Sequence, residues 1–278
     1  MVMQPNASRR SRVGLPVLAG LLAIAMQSCT STHAGPQGRL LDLSYPFDEQ
    51  TVYWPNNAPF RWEKNAWGVT SAGYWYASAT FSTSEHGGTH LDAPIHFAQD
   101  RSTVDRIPLQ QLTGPAVVID VRAQCERNPD YVLTIDDIAA WETRFGAVPD
   151  GAIVFMWTGW GRHWPDRARY LGSATPDDPR TLHFPGFSAE AAEFLVTKRK
   201  IHGAAIDTAS IDAGRFTDFP VHRVLNGADV YAIENIAGLD QLPATGATVL
   251  ALPMKITGGT GGPTRVIAWV PESQQGTR

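Results

Sequence analysis

The chain has 278 residues, of which 43 % are hydrophobic and 18 % charged, enough apolar material for one large core or two small ones. Its formal charge is −4, and Arg9, Arg10 and Arg12 all precede residue 29, so the remainder is more acidic still. That balance argues against nucleic acid or an anionic lipid surface as a partner of the folded domain.

In chain order, residues 1–28 read as a targeting segment and not as part of a fold. A basic start leads into an apolar run over residues 13–26, too short to span a bilayer comfortably and flanked as a secretory signal is. Leu22-Ala23-Ile24-Ala25-Met26-Gln27-Ser28-Cys29 resembles the end of a bacterial lipoprotein signal, in which Cys29 becomes the first mature residue and carries lipid. Met26 and Gln27 match such a signal poorly, which leaves ordinary cleavage as the alternative. The expectation is export to a periplasmic or membrane-anchored location, with membrane contact only through Cys29. Residues 30–38, small and polar, read as a flexible tether. Residues 39–278 read as a single domain, since no composition break divides them. With Cys29 in the leading segment, Cys125 has no internal disulfide partner.

Residues 40–44 predict a short strand ended by Tyr45-Pro46, and residues 74–83, aromatic and β-branched, a longer one leading into a histidine-rich run. Residues 116–121 predict a buried strand. Thr134, with Asp137 three positions on, opens a helix that places Ile138, Trp141 and Phe145 on one face and stops at Gly146. Pro149-Asp150-Gly151 turns the chain into an apolar strand at 152–158. A second helix is expected over 188–200, with short strands near 204–206, 231–234, 248–252 and 265–270. Strands outnumber helices and alternate with them, which predicts one α/β domain of mixed β-sheets packed with helices. Residues 159–186, with four prolines, read as a long ordered loop of the kind that forms lids.

The run Glu85-His86-Gly87-Gly88-Thr89-His90-Leu91-Asp92-Ala93-Pro94-Ile95-His96 concentrates three of the eight histidines beside one aspartate. Imidazoles and a carboxylate, with no thiol, suit a divalent ion such as zinc or manganese. His86 and His90 have the spacing of one helix face, but Gly87-Gly88 and Pro94 oppose a helix. A loop entering a strand serves instead: His90 and Asp92 then point the same way, and the glycines let His86 fold back beside them. Two imidazoles and one carboxylate leave positions open for water, as catalytic sites do. Zinc lowers the pKa of such a water from about 15.7 to about 7. Ordinary hydrogen-bonded histidines are the alternative reading of the cluster.

The other candidates are more isolated. Glu234 lies in an apolar strand, where an unpaired carboxylate is costly; a metal or a salt bridge would each satisfy it. His222, taken alone, fits the cap of a short helix equally well. His163, His183 and His202 have no partner pattern and read as surface or hydrogen-bonded residues. Trp54 and the group Trp157, Trp160 and Trp164 are candidates for an aromatic substrate wall. Gly258-Gly259-Thr260-Gly261-Gly262 lacks the lysine-serine ending of a phosphate loop and reads as a tight turn near the site.

The histidine run resembles the motif of the cyclase family, His-x-Gly-Thr-His-x-Asp-x-Pro-x-His, whose members include bacterial kynurenine formamidases and isatin hydrolases. His86, Gly88, Thr89, His90, Asp92, Pro94 and His96 fill its fixed places. Leu41-Asp42-Leu43-Ser44, Tyr53-Trp54-Pro55 and Asp207-Thr208-Ala209-Ser210-Ile211-Asp212 resemble further parts of the family. So do His222 with Glu234, and the glycine-rich segment between Lys255 and Arg265. The resemblance implies the family's swivelling β/β/α-like fold and makes His86, His90 and Asp92 ligands of one metal. It implies that His222 and Glu234 complete a second site, with Asp92 and Glu234 shared, for one or two ions of zinc or manganese. His96 becomes the proton donor and acceptor, Trp54 a substrate contact, and the assembly a homodimer.

The function expected is metal-dependent hydrolysis of a C–N amide bond in a small aromatic or cyclic substrate. The nucleophile is a metal-activated hydroxide, and a histidine titrating near neutrality serves the departing nitrogen. An isatin-like cyclic amide suits an exported enzyme better than N-formylkynurenine, which arises inside cells. Kynurenine formamidase proper, a lactone hydrolase and a lyase are the alternatives. A non-catalytic metal- or metabolite-binding protein is the reading from another class.

Overall fold

A computed structural model describes residues 38–272; the expected signal, Cys29 and nearly all of the expected tether lie outside them. The first half comprises β1 (Gly38–Asp42), β2 (Arg61–Val69), β3 (Trp75–Ser82), β4 (His90–Asp92), β5 (Thr113–Asp120), α1 (Arg122–Arg127), β6 (Val132–Leu133) and α2 (Ile135–Phe145). Then come β7 (Ile153–Trp157), α3 (Arg167–Tyr170), β8 (Gly186–Phe187), α4 (Ala189–Lys198) and β9 (Gly203–Ile206). The chain closes with α5 (Pro220–Gly227), β10 (Tyr231–Glu234), β11 (Thr248–Pro253) and β12 (Gly261–Pro271).

The long strand β12 organises the main sheet. It pairs with β11 and, through its first residues, with β4, so that Gly261 faces Asp92 and Pro263 faces His90. β4 pairs in turn with β10, Glu234 opposite His90. The order β12-β11-β5-β7-β9-β10-β4 therefore returns to β12 and the sheet closes, with β1 added along the far end of β12. Closure leaves these strands without open edges. β5, β7, β9 and β10 run parallel, and helices cover their outer face.

The two-residue period of these strands sorts the core into two layers. Ala116, Val118, Ile153, Phe155, Ala205, Tyr231 and Ile233 point inward, where they meet Leu91, Val249 and Val266. Their neighbours Val117, Ile119, Val154, Met156, Ala204, Ile206 and Ala232 point outward against Ile138, Trp141, Leu195 and Leu225 of the helices. At about 1.5–3 kcal/mol per fully buried large apolar side chain, these layers are the main stabilising term.

α2 begins as the sequence predicts: Thr134 and Asp137 form a reciprocal capping box, and Gly146 follows the last turn. Ile138 and Trp141 are buried on its inner face, while Phe145 stays partly exposed against Trp141. α4 starts after the Ser188 cap and ends at Lys198, before the expected limit. Residues 159–186 form the expected ordered segment. They carry two 3-10 turns and α3, and are pinned by fully buried Tyr170, Leu171, Leu182 and Phe184.

The sequence reading missed β2. It pairs with β3 in a separate hairpin, and a bulge between Lys64 and Ala66 breaks the alternation by which a strand is recognised. On this hairpin Trp62, Trp67, Trp75, Tyr76 and Phe81 are each more than half exposed. β12 begins four residues before the expected strand at 265–270, because Gly261, Gly262 and Pro263 do not look like strand residues. Among the described residues no helix is long and apolar enough to cross a membrane.

Candidate metal centre

β4 delivers His90 and Asp92 from alternate positions of an extended chain, hence to one side. Gly88, in the left-handed region at φ +57°, turns the preceding chain so that His86 arrives beside them. His222 comes from the first turns of α5 and Glu234 from the carboxyl end of β10. The five side chains meet. Asp92 Oδ1 lies 2.5 Å from His86 Nδ1 and 3.2 Å from His90 Nε2, and Asp92 Oδ2 lies 3.1 Å from His222 Nε2. Glu234 repeats the division, with Oε2 at 3.4 Å from His90 Nε2 and Oε1 at 3.3 Å from His222 Nε2. Each carboxylate thus presents one oxygen to His90 and the other to His222.

Asp92 and Glu234 are 1 % and 5 % exposed, a placement that needs positive charge nearby. Burial alone would depress His90, but Asp92 and Glu234 hold it up to about 9. Burial opposes the charge of Asp92 too, yet His90, His86 and His222 keep its carboxyl well below the usual range. His222 is likewise raised, against burial, by Asp212, Asp92 and Glu234. The cluster is therefore arranged to hold cationic charge. One donor atom from each of His90, Asp92 and Glu234 lies within 4.8 Å of the others, and the same is true of His86, Asp92 and His96. Nitrogen and carboxylate donors at this spacing, with no sulfur, fit a divalent metal.

Three of the imidazoles are anchored through their second nitrogen. His90 Nδ1 lies 2.9 Å from the Gly88 carbonyl, which leaves Nε2 facing the carboxylates. His222 Nδ1 meets Asp212 Oδ2 at 2.7 Å, and the same carboxylate accepts from the amides of Val221 and His222 at the start of α5. His86 Nε2 meets Thr260 Oγ1 at 2.8 Å. This is the pattern of metal-ligating histidines, whose orientation and tautomer are fixed from behind.

His96 differs. Among the described residues no hydrogen bond holds its ring, which stacks on His86 with centroids 3.8 Å apart. Burial pushes its imidazole down to about 3, which Asp92 opposes only in part. Its ring, without a hydrogen-bond partner among the described residues and lining the cavity, is the one placed to move a proton.

The cluster forms one wall of a cavity of about 180 Å³, and Trp54, Phe97 and Phe219 form an apolar wall. Phe219 lies 5.8 Å from Trp54 and 5.1 Å from Phe97, ring centre to ring centre. The sequence reading found Trp54 but neither phenylalanine, although Phe97 directly follows the motif. Phe219 takes a left-handed backbone, φ +49°, to present its ring before α5. Asp212 stood inside a segment already singled out, but no local pattern tied it to His222. Asn235 was also missed. It is left-handed at φ +56°, and it joins the end of β10 to the Gly88 carbonyl at 2.7 Å and to the Tyr170 hydroxyl at 2.9 Å.

The other tryptophans do not line this cavity. Trp157 lies under the Arg122 guanidinium, Trp164 stacks on Tyr45, and Trp160 is buried with its Nε1 donating to the Tyr170 carbonyl. Trp160 and Trp164 pack in the layer behind Trp54 with Phe184 and Tyr170. Their placement follows from their own packing and hydrogen bonds, and the expectation of a substrate wall there is withdrawn. His183 pairs with Asp130 and His202 bonds the Thr113 carbonyl, as expected of structural histidines; His163 packs on Trp160.

The profile of a family described as "Putative cyclase" matches residues 41–213. Isatin hydrolase of Roseibium aggregatum is 33 % identical over 274 residues, covering 96 % of this chain and 98 % of its own. Kynurenine formamidase of Salinibacter ruber is 29 % identical, over 82 % of this chain and 96 % of its own. Among solved structures, an isatin hydrolase bound to the product analogue thioisatinate superposes with a TM-score of 0.78 at 32 % identity, over 85 % of this chain and 94 % of that one. Isatin hydrolase A from Ralstonia solanacearum gives 0.77 at 36 % identity, over 84 % and 92 %. Fold, centre and relatives together define a metal-dependent amide hydrolase. The chain belongs to the cyclase family.

Proposed function

We propose that this enzyme opens the ring amide of isatin or of a closely similar small cyclic aromatic amide. One observation carries the reading: a single small cavity places the wall of Trp54, Phe97 and Phe219 opposite the His86-His90-Asp92-His222-Glu234 cluster, with His96 at the same cavity. Similarity to isatin hydrolases over nearly the whole chain supports it. A flat bicyclic amide seats its ring against the aromatic wall and turns its carbonyl to the cluster.

His86, His90 and Asp92 would hold one ion, and His222 and Glu234 would complete a second site, with Asp92 and Glu234 shared. The two-sided use of each carboxylate supports that division. Zinc and manganese both suit the donors. When bound, a divalent metal supplies Lewis-acid polarisation of the carbonyl and a lowered pKa for water. His96 is assigned to proton transfer and not to ligation, because, among the described residues, its ring alone of the four lacks an anchoring hydrogen bond. It would take a proton from the attacking water and pass it to the nitrogen as the C–N bond breaks, leaving an amine and a carboxylic acid, which loses its proton to solvent.

The reading is tested by turnover of isatin, N-formylkynurenine, simple lactams and lactones, with products followed by mass. The expected result is the highest kcat/KM on isatin, with a product heavier by one water. Preference for N-formylkynurenine would make the chain a kynurenine formamidase, and a product without added water would make it a lyase.

We infer further that two copies associate, and that residues 1–28 direct export with lipid attached at Cys29. The exposed aromatic hairpin of β2 and β3 supports the first. The basic start and apolar run ahead of Cys29 support the second. The mass of the amino-terminal peptide from exported protein distinguishes lipidated Cys29 from ordinary cleavage.

A further inference from the structure

The glycine-rich segment around Thr260 has no role in the chemistry so far. Its central residue touches the cluster from behind. Thr260 Oγ1 lies 2.8 Å from His86 Nε2 and donates to Glu85 Oε2 at 2.5 Å. The same Glu85 oxygen accepts from the Thr260 amide at 3.1 Å, and the Thr260 carbonyl accepts from the Ala93 amide at 2.9 Å. Thr260 is thus clamped between the residue before His86 and the residue after Asp92.

The direction of these bonds is set by chemistry. The Thr260 hydroxyl donates its one proton to Glu85. Its oxygen lone pairs face His86 Nε2, so the ring is held from behind at that nitrogen. The other ring nitrogen, Nδ1, then faces Asp92 Oδ1 at 2.5 Å, on the side of the cluster. The flanking glycines make room for the arrangement. A β-carbon on Gly261 would stand 2.7 Å from His86 Cε1 and 2.5 Å from the Leu91 carbonyl, and one on Gly259 would stand 2.8 Å from Glu85 Oε1.

We propose that Glu85 and Thr260 are positioning residues that fix the orientation of the His86 ring, with Nδ1 toward the cluster, and that the glycine-rich segment exists to present Thr260 to it. The proposal rests on the reading of His86 as a metal ligand. It assigns to the loop a role in metal affinity, acting through His86 and touching neither metal nor substrate.

The test is zinc affinity, measured by competition with a chromophoric chelator on the full domain, for the parent, His86→Ala, Thr260→Val, Thr260→Ser and Glu85→Ala. Melting of the metal-free proteins accompanies it. Thr260→Val keeps the shape and loses the hydroxyl, so it should weaken zinc binding by about 10–100-fold, the usual cost of losing an outer-shell partner, without lowering the metal-free melting temperature in step. Thr260→Ser restores the hydroxyl and should bind within about twofold of the parent. Glu85→Ala should resemble Thr260→Val and supplies the reading if the valine variant does not fold. Parent-like affinity in Thr260→Val and Glu85→Ala, with binding weakened in His86→Ala, overturns the positioning role and leaves the metal reading standing. Parent-like affinity in His86→Ala overturns both.

Discussion

Four histidines crowd one cluster, and what holds each ring separates their work. His86, His90 and His222 are tied at the second nitrogen by Thr260, Gly88 and Asp212, whereas His96 is free to move a proton. His96→Ala should therefore lower kcat by about 10²–10⁴-fold while metal content, measured by elemental analysis, stays as in the parent. Asp212→Asn should act on metal instead, weakening the ion held by His222 by about 10–100-fold in a chelator titration. Away from the site, burial pushes the Cys125 thiol up to about 12. Mapped by peptide mass, Cys125 should stay unmodified by iodoacetamide at pH 8 in the native protein and react once it is unfolded. The sequence displayed the residues with chemistry of their own, because ligands and proton carriers belong to few residue types and sit in a tight motif. It did not display Asp212, Asn235, Phe97 or Phe219, whose roles depend on contacts between distant segments and, for two of them, on a left-handed backbone that no local pattern announces.

Elements with a strong local signal were legible for a related reason. The capping box at Thr134, the turn at Gly151 and the short apolar strands β7, β9 and β10 each carry their instruction within a few residues. β2 was hidden because its bulge breaks the period, and the start of β12 because its glycines serve the neighbouring histidine and not strand propensity. How the helices are tied together also lies beyond local reading. Glu142 of α2 accepts from Arg199 Nε at 2.5 Å and Nη2 at 2.8 Å, and from the Val148 amide at 2.9 Å, joining α2 to the end of α4. The Arg199 guanidinium, aided by the Val148 amide, holds the Glu142 carboxyl below its ordinary value of 4.5. A lowered folded-state pKa adds stability that is complete above the unfolded value and fades as pH falls through the folded one. Glu142→Gln should accordingly cost about 1–2 kcal/mol at pH 7 in denaturant unfolding, with the difference from the parent shrinking below about pH 4.

The closed sheet is what makes the whole molecule work as one site. Its closing strand, β4, pairs with β10 on one side and β12 on the other, so the register that completes the barrel also sets His90 and Asp92 beside Glu234. The expected mixture of strands and helices was correct in kind, but closure depends on β12 reaching back to β4, a pairing of residues far apart in the chain. The hairpin of β2 and β3 stays outside this economy, with its aromatic face exposed. If it joins two copies, Trp67→Ser with Trp75→Ser should shift the protein from dimer to monomer in sedimentation velocity; an unchanged sedimentation coefficient would place the interface elsewhere. The most direct test of the central claim is isatin turnover by the protein stripped of metal with chelator and then titrated with manganese or zinc, its bound metal counted in parallel. Turnover should vanish on stripping, return in proportion to metal bound, and fail to return in Asp92→Ala. Undiminished turnover by protein shown to be free of metal, or by Asp92→Ala, would contradict it.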